Sequence, residues 1–145
     1  APVLPGTWSF EAHEAYDSYR FHGTVPSKEM ADWAPSFLPE GYIESKRTDL
    51  GTLVEITYDC KDLDMWITFS YLRLAEGSGF DLDNEHHVVT EISVQGMDGY
   101  LYTASEDKLN AVVWFNETLR YGFLLSSRLP PDTLLEIAES VNTKS

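Results

Sequence analysis

The sequence predicts an α+β domain. It should hold a single, mostly antiparallel sheet of about seven strands, with a C-terminal helix packed on one face and a short N-terminal helix or arm. Three observations carry this. Short apolar stretches with period-two alternation recur from residue 42 onward. The links between them are short, which favours antiparallel neighbours. One amphipathic helical pattern closes the chain after the break at Pro130-Pro131.

Residues 1–26 read as an arm, in part a linker from a removed signal or anchor, and residues 27–145 as one domain. Pro2, Pro5 and Gly6 make a poor start for a regular element, yet Trp8, Phe10, Tyr16, Tyr19 and Phe21 are too aromatic for a free tail. Glu11 to Arg20 is expected as a short helix or as an arm laid along the domain. Ser27 is a good N-cap for a short helix from Lys28 to Trp33, which Pro35 closes. Ser36 to Tyr42 is a loop with an apolar plug and a turn at Pro39-Glu40-Gly41.

The strands follow. Tyr42 to Asp49 alternates weakly. In Thr52 to Tyr58, Val54, Ile56 and Tyr58 oppose Leu53, Glu55 and Thr57. Met65, Ile67, Phe69 and Tyr71 share a face. Val88, Ile92 and Val94 point inward from the next strand. Gly96 to Gly99 turns the chain, and Tyr100 to Ala104 returns. In Ala111 to Phe115 both faces are apolar, as in an interior strand covered on both sides. A tight hairpin over Phe115-Asn116-Glu117-Thr118 leads to the strand from Tyr121 to Ser126. Beyond the prolines, Thr133 and Glu136 have capping-box spacing, and Leu134, Ile137, Ala138 and Val141 form one apolar stripe.

At 145 residues and 43% hydrophobic composition, the chain can bury one core. Its formal charge of -14 argues against a phosphate backbone and against anionic lipid surfaces, and suits a cation or a basic partner. Cys60 is the single cysteine, so no internal disulfide forms. No apolar run approaches the roughly 18 residues of a membrane span. The first residue is Ala1 rather than Met, which is expected if a signal or anchor has been cut away.

Several stretches together resemble a known family. Phe37-Leu38-Pro39-Glu40-Gly41-Tyr42 is similar to its "LPEGY" opening, and Ile56-Thr57-Tyr58 to its first long strand. Val94-Gln95-Gly96 resembles its "V-x-[IV]-x-G" strand end, and Val113-Trp114-Phe115 its "L-x-W" strand. The run from Leu129, ending Ile137-Ala138-Glu139-Ser140, resembles its closing helix. The family is an uncharacterised domain of Gram-positive bacteria, found outside the membrane in lipoproteins and at the C-terminus of anti-sigma-factor-like single-span proteins. The resemblance implies an extracytoplasmic location, secreted or tethered, and supplies no catalytic residues. Pro130-Pro131 and a long loop from Glu76 to His87 depart from its pattern.

No nucleophile elbow, zincin, P-loop or dinucleotide motif is present, so no enzyme and no cofactor are expected. The expected role is a non-enzymatic interaction or sensing domain with a protein or cell-envelope partner. The alternative is a small-ligand or metal-binding module built on the acidic loop 81–87. There Asp81, Asp83, Glu85 and His86 offer ligands for a cation, with His87 a second nitrogen donor for Zn²⁺, and His87 and Trp66 are candidate contact residues. Adjacent residues of one strand face opposite sides, which counts against His86 and His87 sharing a site. His13 and His22 lack a companion nucleophile. Cys60 sits among carboxylates that oppose a thiolate. The remaining tryptophans, Trp8, Trp33 and Trp114, read as core or rim.

Overall fold

The computed structural model describes residues 8–21, 30–73, 79–104 and 108–143. Its elements are β1 (Trp8–Ala12), β2 (Tyr16–Phe21), β3 (Trp33–Pro35), β4 (Ile43–Asp49), β5 (Leu53–Cys60), β6 (Met65–Arg73), β7 (Gly79–Asp83), β8 (His87–Val94), β9 (Met97–Ala104), β10 (Asn110–Asn116), β11 (Tyr121–Ser127), α1 (Pro131–Glu139) and β12 (Val141–Thr143).

The expected sheet is there, with seven strands in the order β4-β5-β6-β11-β10-β9-β8. Every pairing in it is antiparallel. It is not the only sheet. β1-β2-β7 form a second, and β12-β3 a two-stranded ribbon. The described chain is therefore mostly β, with a single helix at its C-terminal end.

The N-terminal expectation needs correction. Glu11 to Arg20 is not helical: it lies within the β1–β2 hairpin, laid along the domain. Of the helix expected over Lys28 to Trp33, positions 28 and 29 lie outside the described residues, and Trp33 opens β3. Likewise the loop expected from Glu76 to His87 contains β7, which pairs with β2 from Tyr16↔Asp83 to Arg20↔Gly79. Residues 105–107 of the polar loop before β10, and His22, are also outside the described set.

Both faces of the large sheet are covered at its centre. On one, Ile56, Ile67, Phe69, Val112, Trp114, Phe123 and Leu125 meet Leu134, Ile137 and Ala138 of α1. On the other, Tyr102, Ala111, Val113 and Phe115 meet Tyr19, Phe21 and Phe80 of the small sheet. β10 stands between the two layers, and Asn110 through Phe115 are buried, as its unbroken apolar run predicts. At its centre Gly99 pairs with Trp114, where a Cβ would stand 2.6 Å from the Val113 carbonyl oxygen.

Local chemistry explains three further departures. The helix starts two residues before Thr133, with Pro131 at its first position and no side-chain cap. There proline's missing N–H costs nothing, because that donor has no partner inside a helix anyway. It ends at Glu139, so Val141 reaches the core from β12. The β8–β9 turn is Gln95-Gly96, both at positive φ, so Met97 to Gly99 belong to β9. The β10–β11 loop runs over Glu117–Arg120, with the Leu119 N–H on Asn116 Oδ1 at 2.8 Å and Arg120 taking the left-handed conformation.

Candidate functional site

β7 belongs to the small sheet and β8 to the edge of the large one, so Asn84 to His86 carry the chain across from one layer to the other. A cluster of polar and titratable side chains gathers at this crossover. Asn84 is its staple. Its backbone N–H bonds Ala15 O at 3.2 Å, and its amide donates to His13 O at 2.9 Å and to Asp17 Oδ1 at 2.7 Å. The other Asp17 oxygen accepts from the Tyr102 hydroxyl at 2.6 Å. Tyr102, its own proton given to Asp17, accepts from Tyr19 at 2.6 Å.

Asp17 is only 4% exposed, so these bonds replace the water its carboxylate lost. Burial raises the hydroxyl pKa of Tyr19 and of Tyr102 far above the ordinary phenol value, and for Tyr102 the bond to Asp17 adds to it. Beside this chain of bonds lies a cleft of about 210 Å³ between the sheets. Leu82, Leu109, Ala111 and Leu124 line it, with His87, Asp83 and Tyr102.

Of the four candidate ligands, Asp83, Glu85 and His86 come together, with donor atoms within 4.8 Å of one another. Asp81 does not join them: Arg20 holds it with two hydrogen bonds of 2.9 and 3.1 Å. Partial burial works to raise the Asp81 pKa, and the hydrogen bonds from Arg20 and Ser18 together with the nearby charge of Arg20 bring it below the usual carboxylate value. Asp83 is lowered chiefly by the hydrogen bond from His86 Nδ1 at 3.0 Å.

His87, expected to face away from His86, instead approaches the same carboxylate. Its Nδ1 stands 3.9 Å from Asp83 Oδ2, because Asp83 ends one strand and His87 begins another, with a turn between. Its Nε2 lies 2.7 Å from the Leu109 carbonyl oxygen. Nothing in the sequence marks Asp17, Tyr19, Asn84 or Tyr102 as members of this group, since the pairing of β2 with β7 creates it.

The remaining candidates scatter. Trp66 is 40% exposed on the part of the sheet that the small sheet leaves open, with the Arg128 guanidinium 5.8 Å above its ring. Cys60 is buried at the end of β5. His13 stacks on Tyr16.

Three of the stretches behind the family resemblance, those holding Phe37, Gln95 and Glu139-Ser140, meet elsewhere, at the C-terminal end of α1. Gln95 Nε2 donates to Glu139 O at 2.9 Å and Val141 O at 2.7 Å, while its N–H meets the Glu139 carboxylate. Ser36 donates to Ser140 O from both its N–H and its hydroxyl, and the Phe37 N–H bonds Ser140 Oγ. These stretches hold the helix end down. The model of a family described as a domain of unknown function, DUF4367, matches residues 32–141. No curated protein and no solved structure matches the chain.

Proposed function

We propose that this chain, which belongs to the DUF4367 family of domains of unknown function, is a non-enzymatic interaction or sensing domain outside the membrane, and that it receives an extended segment of a cationic partner along the outer edge of β8. The contrast between the two edges of the large sheet carries this reading. β4 is defended: its register breaks between Glu44 and Lys46, and Glu44, Lys46, Arg47 and Asp49 line it. Bulges and charges of this kind keep foreign strands off.

β8 has neither defence. Its register with β9 runs unbroken from His87↔Ala104 to Val94↔Met97, and Glu91 is its one carboxylate. Val88 is 69% exposed and Val89 39%. Val88, expected inward, lies bare because α1 covers only the far end of this strand, around Val94. Among the described residues no strand pairs with the outer side of β8. A regular, weakly charged edge with open apolar side chains is the template for strand addition. The charge of -14 disfavours a second copy there and favours a basic segment.

The absence of turnover is supported by how Asp17, Tyr19 and Tyr102 are used. Both carboxylate oxygens and both hydroxyls are engaged in joining the layers. The sequence pattern from Phe37 to Ser140 supports the placement outside the membrane. Among the described residues, no helix is long and apolar enough to cross one.

Amide chemical-shift mapping with a short peptide of alternating lysine and valine tests the docking edge. Shifts concentrated on β8, and lost in Val89→Lys, are expected. Shifts centred on Trp66 or on α1, or binding unchanged by Val89→Lys, would overturn it.

A further inference from the structure

We infer that the β7–β8 crossover is a site for a borderline divalent metal ion of the zinc class, with Asp83 Oδ2, His86 Nδ1 and His87 Nδ1 as ligands and the Glu85 carboxylate beside them. The observation that lifts this above a group of surface acids is His87. Its side chain is 8% exposed, and its Nδ1 is buried without a hydrogen-bond partner. A carbonyl oxygen only accepts, so the contact with Leu109 O places the ring proton on Nε2. In the neutral ring the lone pair then sits on Nδ1, on the side where Asp83 Oδ2 stands 3.9 Å away. A buried nitrogen acceptor turned toward a carboxylate oxygen, itself an acceptor, has no favourable partner except a proton or a cation.

The supporting bonds match those of built metal sites, in which each ligand is oriented through its other atom. Leu109 O fixes the His87 ring, and the Glu85 N–H on Asp83 Oδ1 at 2.9 Å leaves Oδ2 turned to both imidazoles. Asp83, Glu85 and His86 already hold donor atoms within 4.8 Å of one another, and His87, outside that set, turns toward His86 as the ion binds. Ligands at about 2.0–2.1 Å from a tetrahedral ion stand roughly 3.3–3.4 Å apart. The observed separations from Asp83 Oδ2, 3.0 Å to His86 and 3.9 Å to His87, bracket that value. Two imidazoles with carboxylates suit zinc-class ions better than Ca²⁺, which takes six to eight oxygens.

The ion would tie the last residue of β7 to the first of β8 and so bolt the small sheet to the large one. This site is independent of strand docking at β8, and its test involves no partner.

The test is zinc titration of the untagged chain, followed by thermal melting, with Co²⁺ absorption as a second probe. Micromolar Zn²⁺ is expected to raise the melting temperature, and Co²⁺ to give the intense visible bands of a tetrahedral site. His87→Ala and the exposed-site variant His86→Ala should each weaken binding by at least about tenfold, the minimum seen even for loss of an orienting partner. Asp81→Asn, in the same acidic stretch but held by Arg20, should bind as the parent does. Millimolar Ca²⁺ should not move the melting temperature. No response to Zn²⁺ in the parent chain would overturn the site. So would a response that His86→Ala leaves intact, or one that Asp81→Asn removes equally.

Discussion

Tyr102→Phe removes one oxygen from the junction of the two sheets and changes little else in shape. That oxygen donates to Asp17 Oδ2 at 2.6 Å and accepts from Tyr19 at 2.6 Å, all within buried surroundings. Loss of a hydrogen bond to a buried charge costs about 1.5–3 kcal/mol, and the lost bond from Tyr19 adds about 1 kcal/mol. The expected total is about 2.5–4 kcal/mol, or a fall of about 10 °C in melting temperature for a chain of this size. Urea unfolding should show it as a lower midpoint at unchanged slope.

The double variant Tyr19→Phe/Tyr102→Phe sharpens the test. The Tyr19–Tyr102 hydrogen bond is lost in either single variant, so the double variant should cost less than the sum of the two singles. A cost below about 0.5 kcal/mol for Tyr102→Phe, or strict additivity in the cycle, would refute the network.

Three other outcomes follow from the same structure. Gln95→Ala strips the carbonyls of Glu139 and Val141 of their donor, and should cost about 1–2 kcal/mol in unfolding with faster amide exchange in β12. Gly99→Ala puts a methyl 2.6 Å from Val113 O and 2.9 Å from Trp114 Cβ, and should cost about 3 kcal/mol in the same assay. Stability should also fall in alkali. Tyr19 and Tyr102 are raised, and burial pushes Tyr58 up from 10.0 to about 12. A raised folded value means the contribution is complete below the unfolded pKa of 10.0 and is lost as pH climbs through the folded one. At about 1.4 kcal/mol per unit, Tyr58 contributes at most about 3 kcal/mol. A flat unfolding midpoint across this alkaline range would contradict it.

The legible parts of the fold were those with strict periodicity. β5, β6, β10 and the helix stripe announce themselves because burial on known faces dictates alternation or a three-four spacing. The small sheet was hidden. In β7 Phe80 and Leu82 do alternate with Asp81 and Asp83, but a run of carboxylates reads as a solvated loop until β2 is placed beside it. In β2 a buried Asp17 sits among the core aromatics and spoils the pattern; only the distant Tyr102 and Asn84 make that burial tolerable.

The site followed the same division. Asp83, Glu85 and His86 were recognisable as neighbours in sequence. His87 was legible as a nitrogen donor too, but a continuous strand would turn it away from His86, and only the break at Asn84–His86 brings it back. The helix cap misled for a simpler reason. Capping-box spacing at Thr133 competes with a proline at the first helical position, and the proline wins because its φ already suits the helix.

Hydrogen exchange of the isolated chain, resolved along β8, tests the free docking edge most directly. Amides of β8 that point toward β9 should be protected, and those pointing outward should exchange rapidly, in alternation, while β10 between its two layers exchanges slowest. Uniform protection along β8, equal to that of β10, would mean the edge is already occupied and would contradict the account.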